Sequence, residues 1–96
     1  MTDIRVHRYQ VEPERLDEFV PRRAELIAAM RAKHTGLAET RLIDLGDGNY
    51  IDTWRWDTPA QMGAAFADVA NIPEAHAAMS LTQNASAEDG SVIDAR

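Results

Sequence analysis

A four-residue turn near the middle of the chain constrains its fold more than any other feature. Gly46-Asp47-Gly48-Asn49 gathers residues that accept positive φ, and it separates two segments of strand character, Leu37 to Leu45 and Tyr50 to Trp56. Those segments are expected to form a hairpin. Each arm leads outward into a helical pattern, so the hairpin sits between two helices rather than inside an all-β array.

Upstream, Ile4 to Val11 is rich in β-branched and aromatic residues and reads as a strand, with Ile4 and Val6 on one face and His7, Tyr9 and Val11 on the other. Glu12-Pro13 opens a helix, because proline suits a first position where its missing N–H is not needed. Leu16, Phe19, Val20, Arg23, Leu26, Ile27 and Met30 then follow the spacing of one buried stripe. Pro21 removes one intrahelical bond and predicts a kink or a short 3-10 start before residue 21. Gly36 ends the helix after His34, whose cation would complement the helix dipole.

Downstream, Asp57-Thr58-Pro59-Ala60-Gln61 is a helix start, with Thr58 as cap, Pro59 at the first position and Gln61 reaching back. Met62, Ala65, Phe66 and Val69 give this helix its apolar side. Asn71-Ile72-Pro73 interrupts, a short helix runs from Pro73 to about Leu81, and Ser91 to Ala95 is read as the final edge strand. The order is βαββαβ. This is an α+β, ferredoxin-like domain spanning residues 1–96, a four-stranded antiparallel sheet with helices on one face.

Such a sheet leaves its second face uncovered, and the composition makes that costly. Sixteen residues are Ala, while Leu, Ile, Val and Phe together number 19 of 96, a thin supply for a core. A homodimer that stacks two open sheet faces is therefore expected.

Charge excludes other partners. The net charge is −6, with two basic and seven acidic residues after position 50, so neither nucleic acid nor an anionic membrane surface is expected as a partner. The start, Met1-Thr2-Asp3-Ile4-Arg5, has no apolar signal core, and no apolar run reaches the roughly 18 residues of a membrane span; a cytoplasmic protein is expected. Cysteine is absent, which excludes thiolate nucleophiles and cysteine-based metal sites. His7, His34 and His76 show no local ligand spacing, and no metal site is expected.

Strand alternation places Tyr50, Asp52, Trp54 and Trp56 on one face of the third strand, so three aromatic rings surround one carboxylate. Two readings follow. Either the rings are core and Asp52 pairs with an arginine such as Arg5, Arg8, Arg41 or Arg55, or the rings line a pocket in which a desolvated Asp52 is a proton acceptor, provided no guanidinium offsets the effect. Arg23 falls on the apolar stripe and is read as reaching inward with its stem buried.

The βαββαβ order, Gly36 after a long first helix, Trp56 ending the third strand and the Asp57-Thr58-Pro59 helix start together resemble the antibiotic biosynthesis monooxygenase family, over roughly residues 3–95. The resemblance implies a dimeric α/β barrel built from two ferredoxin-like units. It also implies oxidation of phenolic or quinol-like aromatics by molecular oxygen, without metal or flavin cofactor. Catalytic members place an Asn four residues before the Trp, and that position here is Asp52. An ionised carboxylate would repel the developing oxyanion that an amide stabilises, so Asp52 serves as base or stays protonated. The hydrogen-bonding Tyr of some members falls on Met62, which has no donor. The haem-ligating His of other relatives falls on Phe66, so haem ligation is not expected.

The candidate site is therefore Asp52 as catalytic residue, with Trp56, Trp54, Tyr50, His7, Tyr9, Met62 and Phe66 contacting a small aromatic molecule, and with no cofactor. The expected function is a cofactor-independent monooxygenase acting on a phenolic, quinol or polyketide-like aromatic. The alternatives are a non-catalytic dimeric barrel that binds a small ligand or has a structural or stress-related role, and an isomerase or cyclase on the same scaffold.

Overall fold

The computed structural model describes residues 2–96. Strand β1 (Asp3–Gln10) leads through a 3-10 turn at Pro13–Arg15 into helix α1 (Leu16–Lys33). Strands β2 (Leu37–Gly46) and β3 (Asn49–Trp56) form the central hairpin. Its two-residue loop, Asp47 and Gly48, has φ of 54° and 77°, a twist that suits the flanking strands. Helix α2 (Pro59–Ala67), a 3-10 turn at Val69–Asn71 and helix α3 (Pro73–Met79) follow, before strand β4 (Gln83–Ser91). The strands lie in the order β2-β3-β1-β4, every pairing antiparallel. This is the expected ferredoxin-like α+β arrangement.

The helix boundaries follow the local chemistry. Thr58 caps α2 by accepting from the Gln61 N–H at 3.2 Å, as the sequence predicts. Gly36, at φ 100°, closes the first helical unit, and its carbonyl accepts from the Asp57 N–H at 2.8 Å. Pro21 lies inside α1 on its exposed side, and the expected short 3-10 start before it is the turn at Pro13–Arg15. Val20, expected on the buried stripe, is 46 % exposed, while Phe19, Leu26, Ile27 and Met30 are buried. Beyond the end of α1, Asp68 accepts from Lys33, His34 and Asn71, tying the helix to the turn after α2.

The last strand corrects the sequence reading. It is not Ser91 to Ala95 but Gln83–Ser91, built from the polar stretch before it. Every residue of β4 is exposed, so it needs no apolar face; backbone pairing with β1 and the ion pairs Arg5–Asp89 and Arg8–Glu88 hold it. Intrinsic strand propensity reports packing on a half-buried surface, and an edge strand without one escapes that test.

Antiparallel register puts Arg5 opposite Trp54, His7 opposite Asp52 and Tyr9 opposite Tyr50, all on the face beneath the helices. The core lies between that face and the helical layer, with Trp56, Phe19, Met30 and Val11 the largest of its fully enclosed side chains. On the other face, Ile4, Val6 and Ile51 are half-buried and Ile43 is exposed.

Candidate functional site: a cavity under the helical layer

A cavity of about 210 Å³ opens between the sheet and the helices. Strand β1 supplies Arg5, His7 and Tyr9 to its wall, and β3 supplies Asp52 and Trp54. Helix α1 adds Phe19, Arg23, Leu26 and Met30 from above. Phe66, Val69, Ala75, Ala78 and Met79 close it from the second helical region. The alternation of two strands and the stripe of one helix thus converge on a single space.

Asp52 is 4 % exposed and is the buried charged residue of the described chain. Arg23 donates to it twice, Nε to Oδ2 at 2.9 Å and Nη2 to Oδ1 at 2.8 Å. The Tyr9 hydroxyl donates to Oδ2 at 2.6 Å, and the Trp54 indole N–H donates to Oδ1 at 3.0 Å. Each oxygen therefore accepts two bonds, which fills the capacity of a carboxylate, about four sites. The arginine partner is Arg23, not Arg5, Arg8, Arg41 or Arg55 as the sequence reading expected. Arg8, Arg41 and Arg55 lie on the opposite face, while Arg5 is held by Asp89 at the β4 edge.

The cluster fixes the protonation of its members. Burial, then the Asp52 charge, pushes the Tyr9 phenol well above its ordinary range, so it remains a hydrogen-bond donor. Burial opposes the Arg23 charge, but Asp52 outweighs it and keeps the guanidinium firmly protonated. His7 behaves differently. Burial lowers its pKa below the usual imidazole value of 6.5, against an opposing pull from Asp52, so the ring is neutral at pH 7.

Aromatic packing shapes the rest of the wall. Trp54 meets His7 edge-on with centroids 5.9 Å apart, and Phe66 lies 5.9 Å from each of them. The Arg5 guanidinium sits 3.7 Å above the Phe66 ring. Five of the eight candidate residues, His7, Tyr9, Asp52, Trp54 and Phe66, line the cavity together. Trp56 is fully buried behind Phe66, with centroids 5.7 Å apart, and Met62 is buried core; neither lines the cavity. Tyr50 instead borders a shallow groove at the hairpin end with Gln10 and Asn49.

Two site residues carried readable signals. Arg23 occupies an apolar-stripe position one turn after Phe19, the position of an inward guanidinium. Arg5 shares strand parity with His7 and Tyr9. Among the described residues, no three His, Asp or Glu side chains converge to hold a metal ion, and no helix is long and apolar enough to cross a membrane.

No family model and no curated protein sequence matches the chain. Solved structures do. SnoaB, a cofactor-independent oxygenase from Streptomyces nogalater, is 20 % identical over 98 % of this chain and 95 % of that one, with a TM-score of 0.78, or 0.80 for a variant. An antibiotic biosynthesis monooxygenase is 16 % identical over 98 % of this chain and the whole of that one, TM-score 0.71. Rv0793 from Mycobacterium tuberculosis is 11 % identical over 99 % and 98 %, TM-score 0.73. The chain shares the fold of the antibiotic biosynthesis monooxygenases.

Proposed function

We propose that this chain, built on the antibiotic biosynthesis monooxygenase fold, is a cofactor-independent monooxygenase that oxidises a small phenol or quinol with molecular oxygen in the cavity. A fold alone does not carry an activity. The observation that supports this one is the proton inventory of the cavity wall. Arg5 and Arg23 are cations, Tyr9 keeps its proton, and Asp52 has both oxygens doubly engaged. His7, neutral and beside the aromatic wall, is the lining group with a proton-accepting role open to it.

In this reading the imidazole takes the phenolic proton, and the phenolate passes one electron to O2. The phenoxyl radical and superoxide combine to form a C–O bond, and the imidazolium returns its proton to the terminal oxygen. Loss of water from a carbon that still bears hydrogen leaves a carbonyl. One oxygen atom ends in the product and the other in water. Asp52 positions Tyr9, Trp54 and Arg23 around the substrate and does not itself take the proton. The working unit is a homodimer in the cytoplasm, its open sheet faces stacked through Ile4, Val6 and Ile51.

Oxygen uptake with one- and two-ring phenols, naphthols and quinols tests the activity. Turnover by the wild type and its loss in His7→Gln are expected. Absence of uptake with the whole panel sinks the reading and favours a ligand-binding module. A specific observation favours that second reading: Asp52 stands where an amide would donate to an oxyanion, and a saturated carboxylate offers no such donor. Turnover without oxygen would indicate an isomerase instead.

A further inference from the structure

The cavity is unlike the rest of the molecule in charge and modest in size. The chain carries −6 overall, yet the wall holds two guanidinium groups, Arg5 and Arg23, against one carboxylate, Asp52. Asp52 is committed to Arg23, which leaves Arg5 as the cation not matched within the wall. Its partner, Asp89, belongs to the exposed edge strand and is 47 % exposed at its side chain. Arg5 donates to Asp89 through Nε at 2.7 Å and Nη2 at 3.0 Å. Ion pairs open to solvent contribute little and exchange readily. Stacking on Phe66 holds the guanidinium in place whichever carboxylate it meets.

Size sets the other limit. Drug-sized ligands occupy cavities of about 300–1,000 Å³, whereas a dry cavity of about 150 Å³ accepts benzene. At about 210 Å³ this one holds one ring with substituents or two fused rings, and a linear three-ring ligand exceeds it.

We infer that the cavity selects a one- or two-ring hydroxylated aromatic carboxylate, whose carboxylate displaces Asp89 from Arg5 while its ring lies against Trp54 and Phe66. This rests on the reading of the cavity as the substrate site and adds the substrate class. Asp89 is then a built-in competitor for the anion, occupying Arg5 until a ligand arrives. The ring hydroxyl is left toward His7, where deprotonation is proposed to occur.

Titration of the intact protein, followed by quenching of tryptophan fluorescence and by calorimetry at neutral pH, separates the outcomes. The probes are naphthol, hydroxynaphthoate and a hydroxyanthracene carboxylate. Hydroxynaphthoate is expected to bind at least about tenfold more tightly than naphthol, as one charge-assisted pair provides. In Arg5→Gln that ratio falls to about one, and Arg5→Lys restores part of it. Asp89→Asn removes the competitor and strengthens hydroxynaphthoate binding without the same gain for naphthol, an effect that misfolding cannot imitate. Equal binding of naphthol and hydroxynaphthoate, or tight binding of the three-ring acid, overturns the inference. If naphthol is bound and oxidised while the carboxylate brings no advantage, this inference fails and the monooxygenase reading stands. If none of the probes binds, both fall.

Discussion

Arg23 and Asp52 are joined by two parallel bonds of 2.9 and 2.8 Å, so a helix and the central hairpin are clamped together at the cavity wall. The pair is enclosed, with side chains 13 % and 6 % exposed. Breaking a buried pair from one side leaves an uncompensated charge.

Asp52→Ala is therefore expected to lower unfolding free energy by about 3–5 kcal/mol in urea denaturation. Replacing both partners together, Arg23→Met with Asp52→Leu, should recover much of that loss. Equal destabilisation by the single and double changes would contradict a coupled buried pair.

His7 must be neutral to accept a proton, and burial has lowered its pKa below 6.5. The rate at limiting substrate should rise as pH increases through that lowered value and then level off. A proton NMR titration of the ring should give the same midpoint. A rate profile that keeps this inflection in His7→Gln would assign the titration to another group.

Asp68 accepts from Lys33 at 2.9 Å, from Asn71 at 3.0 Å and from His34 at 2.9 Å, and Lys33 leads these in holding its carboxyl well below the ordinary range. A depressed carboxylate pKa stabilises the fold above the unfolded value and loses that contribution as pH falls. Thermal melts from neutral to strongly acidic pH should show a smaller acid loss in Asp68→Asn than in the wild type. Parallel loss in both proteins would mean that this cluster does not contribute.

Gly36 combines φ 100° with an ideal Cβ position that overlaps the Gln61 side chain. Gly36→Ala has to strain the backbone and move Gln61 away from Thr58 and Thr35. A loss of about 1–2 kcal/mol is expected in denaturation. A neutral result would show that the chain relaxes at this joint.

Ile51 lies half-buried at the centre of the open sheet face, on the same side as Val6 and Ile43. If two copies stack there, Ile51→Lys should convert the dimer to monomer in analytical ultracentrifugation. A monomeric wild type would remove the proposed assembly.

Sequence patterns revealed the architecture where local chemistry and tertiary packing agree. The Asp47-Gly48 turn, the Thr58 cap and the alternation of Tyr50, Asp52, Trp54 and Trp56 are each decided by neighbours a few residues away. Alternation also brought His7, Tyr9, Asp52 and Trp54 into the candidate set, and the apolar stripe of α2 brought Phe66. It could not rank depth: Trp56 shares the face of Trp54 but is sealed behind Phe66. The identity of the Asp52 partner depended on how α1 crosses the sheet, a long-range relationship that spacing along one element does not contain. Strand β4 was missed because backbone pairing and ion pairs, not side-chain burial, hold it.

That outer strand also divides the molecule's freedom to change. Asp89 reaches Arg5 from a segment whose nine residues are all in contact with solvent, so most replacements along it disturb no packed interior. Ligand preference at the Arg5 rim can thus drift by single substitutions at little thermodynamic risk, while the Asp52 cluster beneath is locked by its mutual bonds. A lineage carrying this scaffold has one dial that turns easily and one that scarcely turns at all.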